Sequence, residues 1–545
     1  MASSYWDTYW RRRLSRRRFV TGSAAVGVGA VGFTLVGCGD DDDDDDDGTP
    51  RPATATATPA PGATPTPQEA GRRGGTMRTT KASPDTGLDP HITVTNPLHP
   101  AKAYSHPLVY QLSTNEYFLD LPVAFEQAEP TKMVFTLREG LKFNPEVSNG
   151  RDLTSEDVAY SLARFPETLA NFGSEVNRIQ WGWMESFDTP DPQTVVINLA
   201  APYASAIPSM GSSAFAIVAR ELVEANGGRL SDVMNAGSGP YMMVRRDNTG
   251  TRYERNPNYY EHDPAYGTFV KEGPYIDTWE ELIISDASAS EARFLAGDVD
   301  VLNTALVAVD KLKADELRGQ SGVVVARATN HGNLPITLDF EKWAPHPRLR
   351  EAFSLAIDRQ KYIDVLLLGE GLLGSQVGPI FDSVLSQDEL AQYQKFDPAR
   401  ARQLWEEAGG NDVFPNGLRT VSQGFSQFSQ TMNDFIKREL EANLGISVTV
   451  TPADLATYVA VATARNKDWE YFISSETSIT TIPDYNALTF SVPIGYGSIF
   501  GNLRLDSPVP EAKAFAEKAQ ELFIRQSQEL DHEKRKQILR EMQIF

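Results

Sequence analysis

From residue 74 onward the chain switches repeatedly between two apolar rhythms, one repeating every second residue and one every third or fourth. Phe135, Leu137, Leu141 and Phe143 alternate on both sides of Arg138-Glu139-Gly140, which predicts a half-buried strand with a turn or bulge at Gly140. A helix start follows, with Thr154 placed to cap the amide of Asp157 and with Leu153 and Val158 at staple spacing. Val158, Leu162 and Phe165 mark its buried face and Pro166 its predicted end. Residues 74–80 and 194–199 read as strands, and Trp181 and Trp183 as core, an aromatic wall for a ligand being the alternative. The longest helical signal runs from Pro347 to Gly369. Beyond it, Asp397 and Pro398 open a helix that Gly409 closes. A second helix, from Phe428 to near Gly445, leads into the alternating Ile446, Val448 and Val450. Helix, glycine and strand in that order is half of a right-handed crossover, so this third of the chain predicts a parallel α/β layer.

The first seventy residues follow neither rhythm. Residues 19–37 carry no charge and follow Arg11-Arg12-Arg13 and Arg16-Arg17-Arg18, the arrangement of an export signal. Cys38, the only cysteine of 545 residues, cannot form an internal disulfide and stands directly after that apolar stretch. Eight consecutive aspartates, Asp40 to Asp47, repel one another and lack the interleaved ligands of a calcium loop. Residues 48–71 are rich in Pro, Thr and Ala and bury nothing, so they read as the rest of a tether. The net charge is −22, and −27 without residues 1–37, which hold six arginines and one aspartate. A chain this acidic has no electrostatic footprint for nucleic acid.

Candidate chemistry is sparse. His91, His99 and His106 fall within sixteen residues, but spacings of 8 and 7 fit no compact metal-ligand pattern, and they read as solvated loop histidines. Gly369 to Gly374 formally matches a dinucleotide fingerprint, yet it closes a helix where that motif must open one. No nucleophile elbow, phosphate loop or zinc-protease motif is present. The reading is a protein that is not an enzyme and that needs neither cofactor nor metal.

Several stretches resemble one family in order. They are LREGLKF at 137–143 with LTSEDVAYSL at 153–162, GLDPH at 87–91, GSGPY at 237–241, RNPNYY at 255–260, AGDVD at 296–300, and LREAFSLAIDRQKY at 349–362. They resemble the family 5 extracellular solute-binding proteins, receptors of ABC importers for dipeptides, oligopeptides, nickel and some sugars. The resemblance implies an α/β fold, a two-lobed clamp of the type II periplasmic-binding-protein kind with a subdomain inserted in the first lobe. The implied division is an export signal in 1–37, a tether in 38–73, lobe I in 74–328 with the subdomain at roughly 109–235, and lobe II in 329–510. Residues 511–545 would return towards lobe I, stopping before the closing segment the family usually has. Glycines 237 and 239 read as positive-φ turns.

Ser15-Arg16-Arg17-Arg18-Phe19 resembles a twin-arginine signal, and Leu35-Val36-Gly37-Cys38 a lipobox in which Cys38 is acylated. The implied protein is a monomer, lipid-anchored outside the cell membrane, that hands a peptide or other small solute to a permease driven by ATPase subunits. A nickel- or oligosaccharide-binding member, or a surface sensor without transport, is the alternative. Pro483-Asp484-Tyr485-Asn486 resembles the stretch in which peptide-binding members pair an aspartate with the ligand's α-amino group, which makes Asp484 the candidate anchor and Tyr485 an adjacent aromatic surface.

Overall fold

The computed structural model describes residues 73–85, 87–92, 98–111, 116–172, 183–212, 215–260, 274–302, 309, 311–326, 334–379, 381–424, 427–454, 457–458, 460–461, 464, 467–473 and 501–545. Strand β1 (Thr76–Lys81) pairs in parallel with β10 (Thr278–Ile283), which continues antiparallel to β9 (Gly250–Arg255) and β8 (Tyr241–Asp247). The chain therefore leaves this sheet after β1 and re-enters it at β8. Within the excursion lie helix α1 (Leu98–Ala103), the hairpin β2 (Leu108–Gln111) and β3 (Glu116–Leu119), and an antiparallel sheet ordered β4-β5-β7-β6. Its strands are β4 (Pro122–Glu129), β5 (Lys132–Leu137), β6 (Met184–Asp191) and β7 (Thr194–Leu199), with α2 (Ser155–Phe172) between β5 and β6.

The alternation at Phe135 and Leu137 does bury one face of β5, but the strand ends at Leu137. Gly140, at φ +70°, turns the chain, and only a lone bridge between Lys142 and Asp152 follows. Val158, Leu162 and Phe165 are buried as their spacing requires. Two local expectations are corrected. The α2 start is held in the reverse sense, with the Thr154 amide donating to the Asp157 carboxylate at 3.0 Å. Pro166 does not stop the helix, which runs on to Phe172; it forfeits only its own bond to the carbonyl of Leu162. Trp183 precedes β6 and is buried against the rings of Tyr203 and Phe215, at 5.4 and 6.5 Å, whereas Trp181 lies outside the described residues.

The second half is built on β11 (Ile336–Leu338), α3 (Phe340–Trp343), α4 (Pro347–Leu355), α5 (Arg359–Leu366) and α6 (Pro398–Glu407). They are followed by the crossover β12 (Leu418–Gln423), α7 (Gln427–Leu444) and β13 (Val448–Ala453), then by β14 (Tyr471–Ile473). Strands β12 and β13 are parallel, as the helix–glycine–strand order predicts, and β14 pairs antiparallel with β11. One core holds these parts together, with Trp343, Phe353, Trp405, Leu418, Leu440 and Tyr471 at its centre. The single helix expected from Pro347 to Gly369 is two helices. The Asp358 carboxylate accepts the amide of Lys361 at 2.9 Å and starts α5 after a break at Ala356-Ile357.

Helices α8 (Pro510–Gln528) and α9 (His532–Ile544) close the described chain. They touch both halves. The Ala204 amide donates to the Ser527 carbonyl at 2.7 Å and Arg535 donates to Ser205 at 2.6 Å, while the Gln543 amide donates to the Ser383 carbonyl at 2.8 Å. Among the described residues no helix is long and apolar enough to cross a membrane.

Candidate functional site

Asp484, Tyr485, Cys38, Arg16 and Arg17 all lie outside the described residues. What the structure does show is how the chain on either side of residues 474–500 is held. On one side β14 is locked to β11, with Ile473 opposite Ile336 and Tyr471 opposite Leu338. On the other side the Phe340 amide donates to the Gly501 carbonyl at 2.7 Å, and Asn502 Nδ2 donates to Asp339 Oδ1 at 2.8 Å. Asn502 adopts φ +52°, a left-handed geometry that asparagine tolerates better than most side chains. Glu341 accepts from Arg504 at 2.7 Å and from Ser507 at 3.0 Å. Both flanks thus converge on Asp339-Phe340-Glu341, at the junction of β11 and α3. Burial pushes the Asp339 carboxyl above the usual carboxylate range, against the bond from Asn502.

Beside this junction Glu470 accepts from the Arg419 backbone at 2.7 Å, from its guanidinium at 2.8 Å and from Lys342 at 3.0 Å. Burial alone would raise the Glu470 carboxyl, but Arg419 and then Lys342 outweigh it and hold the group low. A depression of about 360 Å³ opens over Lys342, Phe414, Gly417, Arg419 and Glu470. Both of its cations are engaged by Glu470, and Arg419 pairs with Asp468 as well, so this cluster orients the frame.

On the first sheet the motif-bearing stretches converge as well. Asp89, fully buried, receives both Nη atoms of Arg164, at 3.1 and 2.6 Å, and the amide of Leu230 at 2.9 Å. Burial would raise its pKa, yet the Arg164 bonds and charge prevail and lower it. Asp120 accepts the His106 amide at 2.8 Å and the hydroxyl of Tyr260, and Arg138 lies over the Tyr260 ring at 5.5 Å. Asn144 and Asn256 donate to the carbonyls of Gly237 and Gly239, at 2.6 and 2.9 Å. LREGLKF, GSGPY and RNPNYY therefore meet in one polar network, and GLDPH is tied to α2 through Asp89 and Arg164.

Two expectations are overturned here. The three histidines are not solvated: His91, His99 and His106 are 1, 2 and 6% exposed. Loop sequence with neighbouring prolines suggested exposure, but the loop is sealed by Arg164 and Tyr253, both distant in sequence. Glycines 237 and 239 are not at positive φ either; they are glycine because the backbone of Lys102 to Tyr104 crosses directly over them. The charged partners went unread in the sequence although a signal existed. Asp157, Ser161 and Arg164 repeat at i, i+4 and i+7 beside the apolar stripe of α2, and all three are buried. Among the described residues no group of three or more His, Cys, Asp or Glu side chains is placed to hold a metal.

Comparison with known proteins agrees with this architecture. The profile of the bacterial extracellular solute-binding proteins, family 5 Middle, matches residues 111–496. The chain is 26% identical over 308 residues to heme-binding protein A of Haemophilus influenzae, covering 52% of each chain. It is 26% identical over 368 residues to di/tripeptide-binding protein 1 of Pseudomonas aeruginosa, covering 66% of this chain and 58% of that one. The chain spans about half the length of the curated relatives it matches. Among solved structures it superposes on the periplasmic binding protein DppA of Helicobacter pylori in complex with the peptide STSA, at TM-score 0.66 and 17% identity, over 87% of this chain and 90% of that one. It superposes equally on a Pseudoalteromonas dipeptide-binding protein in complex with Met-Leu, at TM-score 0.66 and 19% identity, over 87 and 92% of the two chains. The fold is the α/β fold of the type II periplasmic binding proteins, and the chain belongs to the bacterial extracellular solute-binding proteins of family 5.

Proposed function

We propose that this protein is the substrate-binding receptor of an ABC importer and that it captures peptides outside the membrane. The observation that carries the reading is the family match across residues 111–496 on a fold shared with peptide-bound receptors. Relatives named for glutathione and for di- and tripeptides favour a short peptidic solute. Lobe I spans residues 74–328 and lobe II residues 329–510, and a single copy closes on the solute, favouring the closed state because only there does the ligand contact both lobes. No chemistry on the solute is required; the permease and its ATPase subunits receive it unchanged. Hemin is the second reading, because a heme-binding relative matches at comparable identity. A thermal-shift screen of dipeptides, tripeptides, glutathione, hemin, nickel and oligosaccharides tests this. A true ligand at a hundred times its Kd raises stability by about 2.7 kcal/mol. If no peptide shifts the melting temperature and hemin does, the peptide reading falls.

Asp484 supplies the charged partner for the ligand's α-amino group, and Tyr485 lies beside it in sequence. An ammonium taken from water into a closed cleft needs such a partner to offset its desolvation. Asp484→Asn is expected to weaken peptide binding by about 2–5 kcal/mol in calorimetry, with the ligand-free melting temperature unchanged. Wild-type affinity in the variant refutes the anchor and leaves the receptor reading standing.

Arg16 and Arg17 direct export and Cys38 carries the lipid that holds the receptor at the outer face of the membrane. With two or more acyl chains, at about 0.8 kcal/mol per buried methylene, the anchorage is stable. Cys38→Ala is expected to release the protein from the membrane fraction or to leave its precursor uncleaved. Processing and membrane attachment as in the wild type would sink the assignment.

A further inference from the structure

Among the described residues, His91 and His99 are interior imidazoles whose surroundings disfavour a second proton. Arg164 Nη1 approaches His91 Nδ1 at 2.7 Å, and a guanidinium can only donate, so Nδ1 accepts. The ring proton therefore sits on Nε2, which donates to the Ala216 carbonyl at 2.9 Å. A second proton would set N–H against N–H beside a fixed positive charge. Facing this ring are Arg164 and the Phe165 ring from α2, Asp89 from the same loop, and His106; the carboxylate of Asp89 is already occupied by Arg164.

His99 reaches the same state differently. Its Nδ1 meets the Tyr253 hydroxyl of β9 at 3.1 Å, its ring stands edge-on to Tyr104, and its Nε2 is buried with no hydrogen-bond partner among the described residues. Lys102 from α1 and Arg246 from β8 face it as cations, and Asp85 and Glu281, from the loop after β1 and from β10, as carboxylates. Lys102 already pairs with Glu281, and Lys81 with Asp85 at 2.7 Å. An imidazolium here is a surplus charge with one N–H unbonded.

We propose that these two histidines form an acid-released latch, in which His91 holds residues 87–92 against α2 and the Ala216 carbonyl and His99 holds residues 98–106 against β9 while both rings are neutral, and which lets go when both take a proton. Burial first, and for His91 then the Arg164 charge, lowers each ring from 6.5 to about 4. Between those values the opened segment binds more protons than the closed one, so closure weakens as pH falls from 6.5 towards 4. Three amides report the opening, because Gly239, Leu121 and Ile217 donate to the carbonyls of Ala103, His106 and Ser105.

Hydrogen exchange on the full chain, corrected for intrinsic rates and followed by mass spectrometry from pH 6.5 to 5.0, tests the latch without any ligand. Protection of these three amides is expected to fall by about 200-fold, two rings each contributing about 15-fold, while α7 keeps its own. In the double variant His91→Gln, His99→Phe the fall is expected to vanish, since glutamine reproduces the acceptor and donor of the neutral ring and phenylalanine carries no proton. If the double variant is unfolded at pH 7, His91→Gln alone should leave about a 15-fold fall. Constant protection in the wild type, an equal fall in α7, or a full fall in the variants overturns the proposal.

Discussion

A methyl group added to Gly239 would lie 2.4 Å from the amide nitrogen of Tyr104 and 2.5 Å from the carbonyl carbon of Ala103. Both obstacles are backbone, so neither can swing away. Gly239→Ala is expected to cost at least about 3 kcal/mol in urea unfolding, the upper range for overpacking. Gly140 is a glycine for another reason: at φ +70° nothing stands within 4 Å of the added carbon. Gly140→Ala then carries only left-handed strain, about 1 kcal/mol. Equal losses at the two sites would show that close approach is not what selects Gly239. Neighbouring Asp89 and Arg164 obey the same distinction between local and distant causes. Each is an ordinary polar residue in its own stretch, and each becomes a buried half of an ion pair only through the other.

At the scale of elements, periodicity located strands and helices well and their ends less well. Leu349, Phe353, Ala356 and Ile357 hold helical spacing across the point where α4 stops, because all four enter one core whether or not the axis bends between them. The break itself belongs to Asp358, whose side chain starts α5 while Lys361 on the same turn pairs with Glu439 of α7 at 2.9 Å. Asp358→Ala is expected to remove about 1 kcal/mol of stability, the usual worth of an N-cap. A loss below about 0.3 kcal/mol in chemical denaturation would mean that packing alone sets the break. Pro166 errs in the opposite direction. A proline at this position predicts a stop, yet a helix already docked along Val158, Leu162 and Phe165 can give up one hydrogen bond and continue.

For the molecule as a whole, the frame at Asp339-Phe340-Glu341 and the buried network beneath GLDPH lie in different halves of the chain, joined in part through α8 and α9. The proposed receptor works by bringing two such lobes together. Moving a clamp from 1% to 99% closed requires the solute to favour the closed form by about 5.5 kcal/mol. Small-angle scattering should therefore show a smaller radius of gyration at saturating ligand than without it. An unchanged profile at saturation argues against a closing clamp.

Sequence alone carried most of the periodic elements, the α7-to-β13 half of the parallel crossover and, through ordered motifs, the family. Each of these rests on interactions among residues near one another in the chain, which spacing records directly. Burial of His91, His99 and His106, the reason for Gly239, and the pairing of Asp89 with Arg164 were decided only in the tertiary structure. Each depends on which distant segment arrives to cover a residue, and a one-dimensional pattern does not specify that partner. The frame around residues 474–500 is of the second kind, since Asp339 and Asn502 stand 163 residues apart and meet through one side-chain bond.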